Sequence, residues 1–421
     1  MYNKIHIFDL GRIVTGKTPR TSITENYGGD TPFLTPSDDL SNKFAPKTSK
    51  TLSNQGLSEV KNCLLPANSI CVSCIGSDLG KVVLTTKPTV TNQQFNSIIP
   101  YKEFNPHYIY YLMNIVGKQL NYLSKTSTAV PIINKTTFSN VEILIPTFEE
   151  QTAIANILSS LDDKIELNRR INENLEQQAQ ALFKSWFVDF EPFKDGKFVD
   201  SEFGMIPKGW EIGTLSDIIK NTISGDWGKE HPQGNHIRKV FCIRGADIPD
   251  IKIGNKGNMP TRFILEKNYQ SKVLIDGDMV IEISGGSPTQ STGRACRISK
   301  RLLDKYNNSI ICTNFCKAIK PLSGYSSFLY YIWEMLYNQG VMFSYENGTT
   351  GIKNLDINGF IQKKLIIIPP IHIATDFEEM IKVFYDKIQS NGMESERLAQ
   401  LRDTLLPKFM SGELKINDFN N

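Results

Sequence analysis

The sequence lacks a strong net charge, a long apolar run and a dense group of cysteines. Its 47 basic and 44 acidic residues leave a formal net charge of +3, which taken alone argues against a strongly cationic nucleic-acid binder. The seven cysteines are odd in number and scattered, so we expect reduced thiols in a cytoplasmic protein. No apolar run approaches the ~18 residues of a membrane span, and Leu365–Ile368 is predicted to be a buried strand.

Motifs of enzymatic chemistry are also missing. The five histidines form no HExxH motif, and the sequence shows no nucleophile elbow and no dinucleotide fingerprint. Cys71 and Cys74 form a CxxC motif inside an apolar stretch typical of a strand, where the two thiols would point to opposite faces. Core packing is therefore predicted for both, and the sequence indicates neither a metal, a cofactor nor a catalytic residue in this chain.

One short motif keeps an enzymatic alternative open. Residues Gly11–Thr18 fit the P-loop pattern, which binds phosphate only where a helix begins at the Lys-Thr pair. Pro19 and Arg20 follow instead, without helical periodicity, so a glycine turn that exposes Lys17 and Arg20 is the favoured interpretation. The alternative is a self-contained, nucleotide-dependent DNA enzyme built on this loop.

An internal repeat organises the chain around two long amphipathic helices. Their apolar rows have heptad spacing, interrupted once in each helix by an asparagine of the kind that sets helix register. The rows contain Ile154, Leu161, Asn168, Leu175 and Leu182 in the first helix, and Phe377, Phe384, Asn391, Leu398 and Leu405 in the second. Each position of the second row lies 223 residues after its counterpart, which indicates a duplication.

The repeat extends upstream with smaller offsets. Tyr110 matches Tyr330, Phe33 is paired with Phe241, and Leu10 is paired with Leu215, so an insertion is expected in the second half, within residues 284–308. The predicted class is α+β, with two mixed globular parts in tandem and two long helices. The predicted boundaries are 1–148 and 210–370 for the globular parts, 149–190 and 371–410 for the helices, 191–209 for a linker and 411–421 for a tail.

Charge follows the same division. Counted along the sequence, the net charge is +5 for 1–148, −4 for 149–190, +5 for 191–370 and −3 for 371–421. Basic residues and amides in polar turns of the two basic parts are therefore candidates for phosphate contacts and base reading. The candidates are Lys17, Arg20, Lys81, Asn92, Gln93, Lys135, Lys229, Arg244, Gln290, Arg294, Asn314 and Lys353.

The chain resembles the specificity subunit of type I restriction-modification enzymes over essentially its whole length. The resemblance rests on five stretches together: LGRIVTGKTP at 10–19, Ile-Pro at 145–146 with Glu-Glu-Gln at 149–151, GMIPKGW at 204–210, STGR at 291–294 and LRDTLLPKFMSGEL at 401–414. It implies a prokaryotic protein. One departure is visible, because the second helix opens with Pro-Ile-His-Ile at 370–373 where the first has Glu-Glu-Gln at 149–151.

The resemblance implies a non-catalytic DNA-binding subunit with two target-recognition domains, each reading half of a bipartite double-stranded DNA site. It implies that the two helices pair as an antiparallel coiled coil that separates the domains. It also implies docking of two methyltransferase subunits and of restriction subunits. S-adenosylmethionine, ATP and Mg²⁺ would then belong to those partner subunits, and this chain would carry no cofactor.

Overall fold

The computed structural model describes residues 2–124, 132–287, 290–348 and 352–416. The chain forms two compact units: unit 1 consists of Met1–Lys164 with Leu398–Asn421, and unit 2 of Ile165–Arg397. Two long helices, Phe148–Phe187 and Ile371–Ser411, each contribute to both units. The helices predicted at 149–190 and 371–410 are thus confirmed to within three residues at each end. Part of the predicted tail, residues 417–421, lies outside the described residues.

The described part of unit 1 contains nine short strands and three helices, and it includes the beginning of a long helix. The strands are β1 Asn3–His6, β2 Gly11–Thr15, β3 Tyr27–Leu34, β4 Lys50–Leu52, β5 Ile70–Ser73, β6 Val82–Leu84, β7 Val90–Thr91, β8 Phe95–Pro100 and β9 Glu142–Ile145. The helices are α1 Asn54–Glu59, α2 Pro106–Ser124, α3 Lys135–Ser139 and the long α4 Phe148–Phe187, with 3-10 turns at Ile7–Leu10, Thr24–Asn26 and Lys61–Cys63.

Unit 2 repeats this plan with additional strands. The strands are β10 Phe198–Val199, β11 Ile206–Pro207, β12 Glu211–Thr214, β13 Ile219–Ser224, β14 His236–Ile243, β15 Thr261–Leu265, β16 Met279–Glu282, β17 Ser284–Gly285, β18 Ala295–Arg297, β19 Ile310–Cys312, β20 Cys316–Pro321, β21 Glu346–Asn347, β22 Lys353–Leu355 and β23 Leu365–Ile368. The helices are α5 Ile248–Lys252, α6 Glu266–Lys272, α7 Lys300–Lys305, α8 Ser326–Asn338, α9 Ile357–Lys363 and the long α10 Ile371–Ser411, with 3-10 turns at Glu191–Phe193, Leu215–Ile218, Gly245–Asp247 and Val341–Tyr345.

The sheets of the two units correspond strand for strand. The order β2-β8-β5-β6 in unit 1 corresponds to β13-β20-β16-β18 in unit 2, and β4-β3-β7 corresponds to β15-β14-β19. In both three-stranded sheets one pair is antiparallel and the other parallel. A two-stranded sheet, β1-β9 or β12-β23, joins the first strand of each repeat to the strand before its long helix. The duplication seen in the helices therefore extends to the sheets.

The hydrogen bonds correct two of the upstream pairings. Asp9 accepts the backbone N–H of His6 at 2.8 Å, and Asp217 accepts that of Thr214 at 2.6 Å, so the offset here is 208. The predicted pairing of Leu10 with Leu215 is wrong by three residues, and Leu10 corresponds to Ile218. Both 3-10 turns have a buried aliphatic residue at each end, so their sequences match equally well one turn out of register.

The second correction concerns Phe33. Thr91 and Cys312 are equivalent, because the residue after each donates its N–H to the strand opposite, Asn92 to Leu34 and Thr313 to Ile243. In the parallel strand pairs, Leu34 lies opposite Thr91 and Ile243 lies opposite Cys312. Phe33 therefore corresponds to Cys242, and its pairing with Phe241 is wrong by one residue. A shift of one residue in a strand moves a side chain to the other face of the sheet, and Phe241 contacts Tyr306 with 4.5 Å between ring centroids.

The insertion falls where the sequence predicts it. Ser73 donates its N–H to the carbonyl of Lys81, and Glu282 donates to the carbonyl of Arg294, both at 2.9 Å. The offset therefore rises from 209 at Glu282 to 213 at Arg294, and it reaches 221 at Cys312. These extra residues lie within 284–308, in the chain segment that contains β17 and α7.

The hydrophobic cores explain why each long helix belongs to two units. In unit 1, Ile154 and Leu158 from the start of α4 are fully buried in one core with Leu406 and Phe409 from the end of α10. In unit 2 the roles are exchanged, because residues from the end of α4 are buried with residues from the start of α10. These are Ala179, Phe183 and Phe187 with Ala374, Phe377 and Ile381. Each core is thus completed by the beginning of one helix and the end of the other.

The predicted heptad row is buried unevenly. Ile154, Asn168, Phe377 and Asn391 are at most 1 % exposed. The remaining predicted positions are intermediate in exposure; these are Leu161, Leu175, Leu182, Phe384, Leu398 and Leu405.

Both predicted asparagines are used in contacts between the helices, within unit 2. Asn168 Nδ2 donates to the Glu394 carboxylate at 2.9 Å and to Ser395 Oγ at 3.3 Å. Asn391 Nδ2 donates to Asn172 Oδ1 at 2.9 Å. Residue numbers rise along one helix as they fall along the other through these contacts. These hydrogen bonds of buried amides can form only at one alignment of the two helices.

The segment at 191–209, predicted as a linker, is folded within unit 2. It contains the β10-β11 hairpin, and Ile206 at its end is 3 % exposed. Phe193 contacts both Trp186 and Trp210, with ring centroids 6.0 and 5.3 Å apart. The aromatic contacts hold this segment against the end of α4. Its Gly and Pro residues therefore belong to tight turns of a folded segment, and the segment is not a linker.

Candidate nucleic-acid interface

Two turns meet at the end of the four-stranded sheet in unit 1, and we call residues 16–18 and 92–95 the first paired turn. Phe95 donates its N–H to the carbonyl of Asn92 at 3.2 Å, which closes a four-residue turn with Gln93 and Gln94 at its centre. Lys17 donates its N–H to the carbonyl of Thr91 at 2.9 Å. The Lys17 backbone is thereby held beside the four-residue turn.

Unit 2 builds the same arrangement from residues 225–227 and 313–316, the second paired turn. Cys316 donates its N–H to the carbonyl of Thr313 at 2.9 Å, and Asp226 donates to the carbonyl of Cys312 at 2.9 Å. Gln93 and Gln94 therefore correspond to Asn314 and Phe315, and Lys17 corresponds to Asp226. The scaffold is shared by the two units, whereas the side chains on it differ.

A glycine is required at the contact inside each paired turn. A Cβ atom on Gly16 would lie 2.1 Å from the carbonyl oxygen of Asn92, and one on Gly225 would lie 2.0 Å from that of Thr313. Both distances are far below van der Waals contact. This close approach explains the glycine at Gly16, which the P-loop pattern would assign to phosphate binding.

The structure argues against the nucleotide-binding alternative at this loop. Residues Gly11–Thr15 form strand β2, and the next element is the 3-10 turn Thr24–Asn26, so no helix begins at Lys17. The helix N-terminus that a P-loop presents to phosphate is absent there. Lys17 is exposed and lies on a turn, as the favoured interpretation predicts.

The tips of the paired turns expose different amide groups. Gln93 is exposed and accepts a hydrogen bond from Thr18 Oγ1 at 2.7 Å. Asn92 is only 8 % exposed, and its amide bonds to Gln94 on both sides, through Oε1 at 2.8 Å and the backbone N–H at 3.1 Å. The Gln93 side chain is therefore accessible at the tip of the turn, whereas the Asn92 amide is hydrogen-bonded within its own turn.

Lys81 and Arg294 occupy equivalent positions, and each has an acidic partner. Lys81 Nζ lies 2.6 Å from Asp78, with about half of the lysine side chain exposed. Arg294 binds the Glu282 carboxylate through Nε at 2.7 Å and Nη2 at 2.8 Å, and this hydrogen bonding raises the pKa of the arginine. The Gln290 side chain contacts the same guanidinium. With its amide oxygen turned toward Arg294, that oxygen accepts a hydrogen bond from Nε at 3.1 Å.

Three other predicted cations are also paired with carboxylates. Arg20 binds Glu59 through its side chain at 2.7 Å, and this bond holds the pKa of Glu59 at about 2. The remaining two are Arg244, bound to the buried Asp247 at 3.0 Å, and Lys353, bound to Glu346 at 2.8 Å. Such partners reduce the positive potential that these cations offer to a phosphate.

Three predicted lysines remain exposed. Lys17, Lys135 and Lys229 have no ion pair among the residues that the structure describes. Lys135 is the first residue of α3, after the N-cap Asn134. The backbone N–H of Lys229 donates to the carbonyl of Phe263 at 2.9 Å. Asn314 is also exposed, and its side chain forms no hydrogen bond within the described residues.

Sequence reasoning missed two aromatic residues at the second paired turn. Trp227 is 39 % exposed, with the guanidinium of Arg262 stacked 4.0 Å from its ring centre, and Phe315 is 59 % exposed. The repeat offset of 221, applied at Gln94, points to Phe315 directly. A comparison of the two turns by amino-acid composition misses this match, because composition does not show which residue of one turn corresponds to which residue of the other.

The cysteines behave as the strand interpretation predicts. Cys71 and Cys74 are at most 2 % exposed and pack in different core clusters, as expected for opposite faces of a strand. Burial raises the pKa of Cys71 to about 12. Across residues 2–124, 132–287, 290–348 and 352–416, no group of three or more His, Cys, Asp or Glu side chains has the arrangement of a metal site.

Helices long and apolar enough to cross a bilayer are absent from the part of the chain that the structure describes.

Comparison with known proteins places the chain among proteins of one kind. A family model for the type I restriction modification DNA specificity domain matches residues 2–177. The MjaIX specificity subunit of a type I restriction enzyme from Methanocaldococcus jannaschii is 32% identical over 426 residues, which cover 98% of this chain and 93% of that protein. The HindI specificity subunit of Haemophilus influenzae is 27% identical over 409 residues, covering 81% and 83%.

The fold is also found in a solved structure. The S subunit of a type I restriction-modification system from M. genitalium aligns with a TM-score of 0.54 at 17% identity. The alignment covers 97% of this chain and 96% of that one. The two proteins therefore share a fold over nearly their whole length.

Proposed function

The chain belongs to the specificity subunits of type I restriction enzymes, and from this we propose that it reads a bipartite DNA target with its two repeated globular parts. Specificity subunits are the non-catalytic, DNA-recognition components of their complexes. Each globular part would act as one target-recognition domain and read one half of the double-stranded site. The two paired turns would supply part of the reading surface.

One observation carries the proposal: the strand-for-strand duplication places the same paired turn in each unit with different side chains on it. A shared scaffold with different side chains suits two related readers of two different short sequences, because base edges are distinguished by the donors and acceptors that meet them. The exposed Lys17, Lys135 and Lys229 suit phosphate contacts, which position a protein without reading sequence.

The long helices suit a role in spacing and assembly. We propose that α4 and α10 pair as an antiparallel coiled coil that sets the gap between the half-sites, and the Asn168 and Asn391 contacts support one fixed alignment. The acidic character of both helices would direct the DNA to the basic globular parts. The helices would also dock two methyltransferase subunits, with restriction subunits joining, and those partners would bring S-adenosylmethionine, ATP and Mg²⁺.

An exchange of one globular part tests the two-reader proposal. Residues 1–148 are replaced by the matching residues of a related subunit of different specificity, and the chimera is produced in cells with the methyltransferase partner. Sequencing that detects methylated bases then returns both half-sites and the gap. We expect one half-site to change while the other half-site and the gap stay the same.

The unmodified chain and a chimera with 210–370 exchanged serve as matched controls. The second chimera should change only the other half-site. If either exchange left both half-sites unchanged, or altered both, the assignment of one half-site to each globular part would be wrong.

A further inference from the structure

The second paired turn exposes an apolar ring where the first has a tethered amide. Thr313 is 1 % exposed and Cys316 is fully buried, so only the two central residues of the turn project outward. Phe315 is one of them, and 59 % of it is exposed. At the equivalent position, Gln94 is tied to Asn92 by two hydrogen bonds. The difference between the units is thus greatest at this one side chain.

The Phe315 ring has no partner in the described part of the chain that explains its position. Its backbone is fixed, because its carbonyl accepts from the N–H groups of Ile283 at 2.9 Å and Ser284 at 3.2 Å. Trp227 in the same paired turn is stacked on Arg262, whereas no ring or cation contact involves the ring of Phe315 among the described residues. Singly exposed apolar side chains are common on protein surfaces, so what distinguishes Phe315 is its fixed place at the tip of the turn and the residue beside it.

The neighbouring residue indicates which surface the ring meets. Asn314 precedes Phe315, is exposed and forms no side-chain hydrogen bond within the part of the chain that is described. In the major groove, asparagine bonds to the N6 and N7 edge of adenine, and apolar side chains contact the 5-methyl group of thymine. Two adjacent turn residues with these chemistries match adjacent positions of a sequence that contains A·T pairs.

We propose that Phe315 is a specificity-determining residue that reads a thymine methyl group in the half-site bound by unit 2. The inference rests on the proposed function, since it requires that unit 2 reads DNA. It further assigns to Asn314 the reading of a neighbouring adenine. Unit 1 lacks this means of recognition, because its equivalent residues are Gln93 and Gln94.

Replacing thymine by uracil removes only the methyl group and so tests the contact directly. The chain is co-purified with its methyltransferase partner, and dissociation constants are measured on duplexes carrying the mapped target, with uracil replacing each thymine of the unit 2 half-site in turn. One uracil should weaken binding about threefold to fivefold, as expected for loss of one buried methyl group. The Phe315→Ala variant should bind the thymine and uracil duplexes equally.

Two controls accompany this comparison. Gln94→Ala changes the equivalent position of unit 1. This variant should lose as much affinity as the parent when uracil replaces thymine in the unit 2 half-site. Phe315→Leu should keep part of the preference for thymine over uracil, because leucine is also apolar. Since Phe315 is on the surface, tryptophan fluorescence should show unchanged unfolding of the alanine variant.

The outcomes separate this inference from the proposed function. Sequence-specific binding without any uracil effect, or with an effect that Phe315→Ala retains, overturns the methyl contact and leaves the two-reader proposal intact. A third outcome is weaker binding by Phe315→Ala together with no uracil effect in the parent. That result would indicate a ring inserted between bases, and it would also overturn the proposed methyl contact. Absence of any sequence-specific binding by the co-purified complex would refute the proposed function itself.

Discussion

The ion pair between Arg294 and Glu282 gives the most direct test of the description of unit 2. The Glu282 side chain is 7% exposed, and both Nε and Nη2 of Arg294 bind it. Arg294→Ala leaves a nearly buried carboxylate without its counter-ion, which typically costs about 3–5 kcal/mol when both partners are buried. Because the arginine side chain is 26% exposed, solvent screening reduces this, and we expect a loss of about 2–3 kcal/mol.

Tryptophan fluorescence can report this loss for unit 2 alone. All four tryptophans of the chain lie within 165–397, and Trp333 Nε1 donates to the carbonyl of Gly293, beside Arg294, at 2.8 Å. In urea, a loss of this size lowers the unfolding midpoint by about 1 M. The double variant Arg294→Ala with Glu282→Gln also removes the unpaired charge. It should recover more than half of the stability that Arg294→Ala loses relative to the parent.

A matched control is Lys300→Ala, whose partner Asp304 lies in an exposed pair with side chains 75% and 54% exposed. That variant should unfold within a few tenths of a kcal/mol of the parent. An unchanged midpoint for Arg294→Ala would refute the reasoning, as would a double variant no more stable than the single one. Reduced DNA affinity with unchanged stability would indicate that Arg294 contacts DNA directly.

Four further predictions follow from the contacts described above. Asn391→Ala leaves the buried Oδ1 of Asn172 unpaired, so unit 2 should lose about 1–3 kcal/mol by urea titration, whereas the exposed Asn174→Ala should not. Gly16→Ala forces a Cβ into the carbonyl of Asn92 and should destabilise unit 1 by about 1–3 kcal/mol, measured by hydrogen exchange. Arg20 holds the pKa of Glu59 at about 2, below its usual 4.5, so the stabilisation is present above pH 4.5 and is lost as the pH falls toward 2. The difference between the parent and Arg20→Gln should therefore shrink over that range in thermal melts. Six cysteines are buried, and burial raises the pKa of Cys71, Cys242 and Cys316 to about 12, so a thiol reagent should modify Cys63 first and all seven only in denaturant.

Periodic features of the sequence predicted the elements well. The heptad rows located both long helices, and the shared asparagines proved to be buried contacts between them, because a polar side chain within an apolar row is buried at low cost only where it meets a hydrogen-bond partner. The buried strand at Cys71 was also predicted, and Cys74 directly follows its end at Ser73, since alternation and burial follow from local sequence.

The register of the repeat and the partners of charged side chains were not predictable in this way. Leu10 and Phe33 were matched by residue type, but a 3-10 turn with aliphatic residues at both ends matches itself one turn away. Arg244 and Arg294 are predicted DNA contacts, and the sequence shows their charge without showing that each has a carboxylate partner. Asp247 and Glu282 meet these arginines only when the strands and turns of unit 2 are in place.

The shared helices also have a consequence for how the chain is made. Unit 1 is interrupted in the sequence by the whole of unit 2, and its core includes Leu406, Phe409 and Met410 from the final turns of α10. During translation, residues 1–164 therefore emerge long before the residues that close their core. Unit 2, which is continuous from 165 to 397, can fold first. A chain truncated near residue 397 would lack the apolar residues from the end of α10 and would leave the unit 1 core open to solvent.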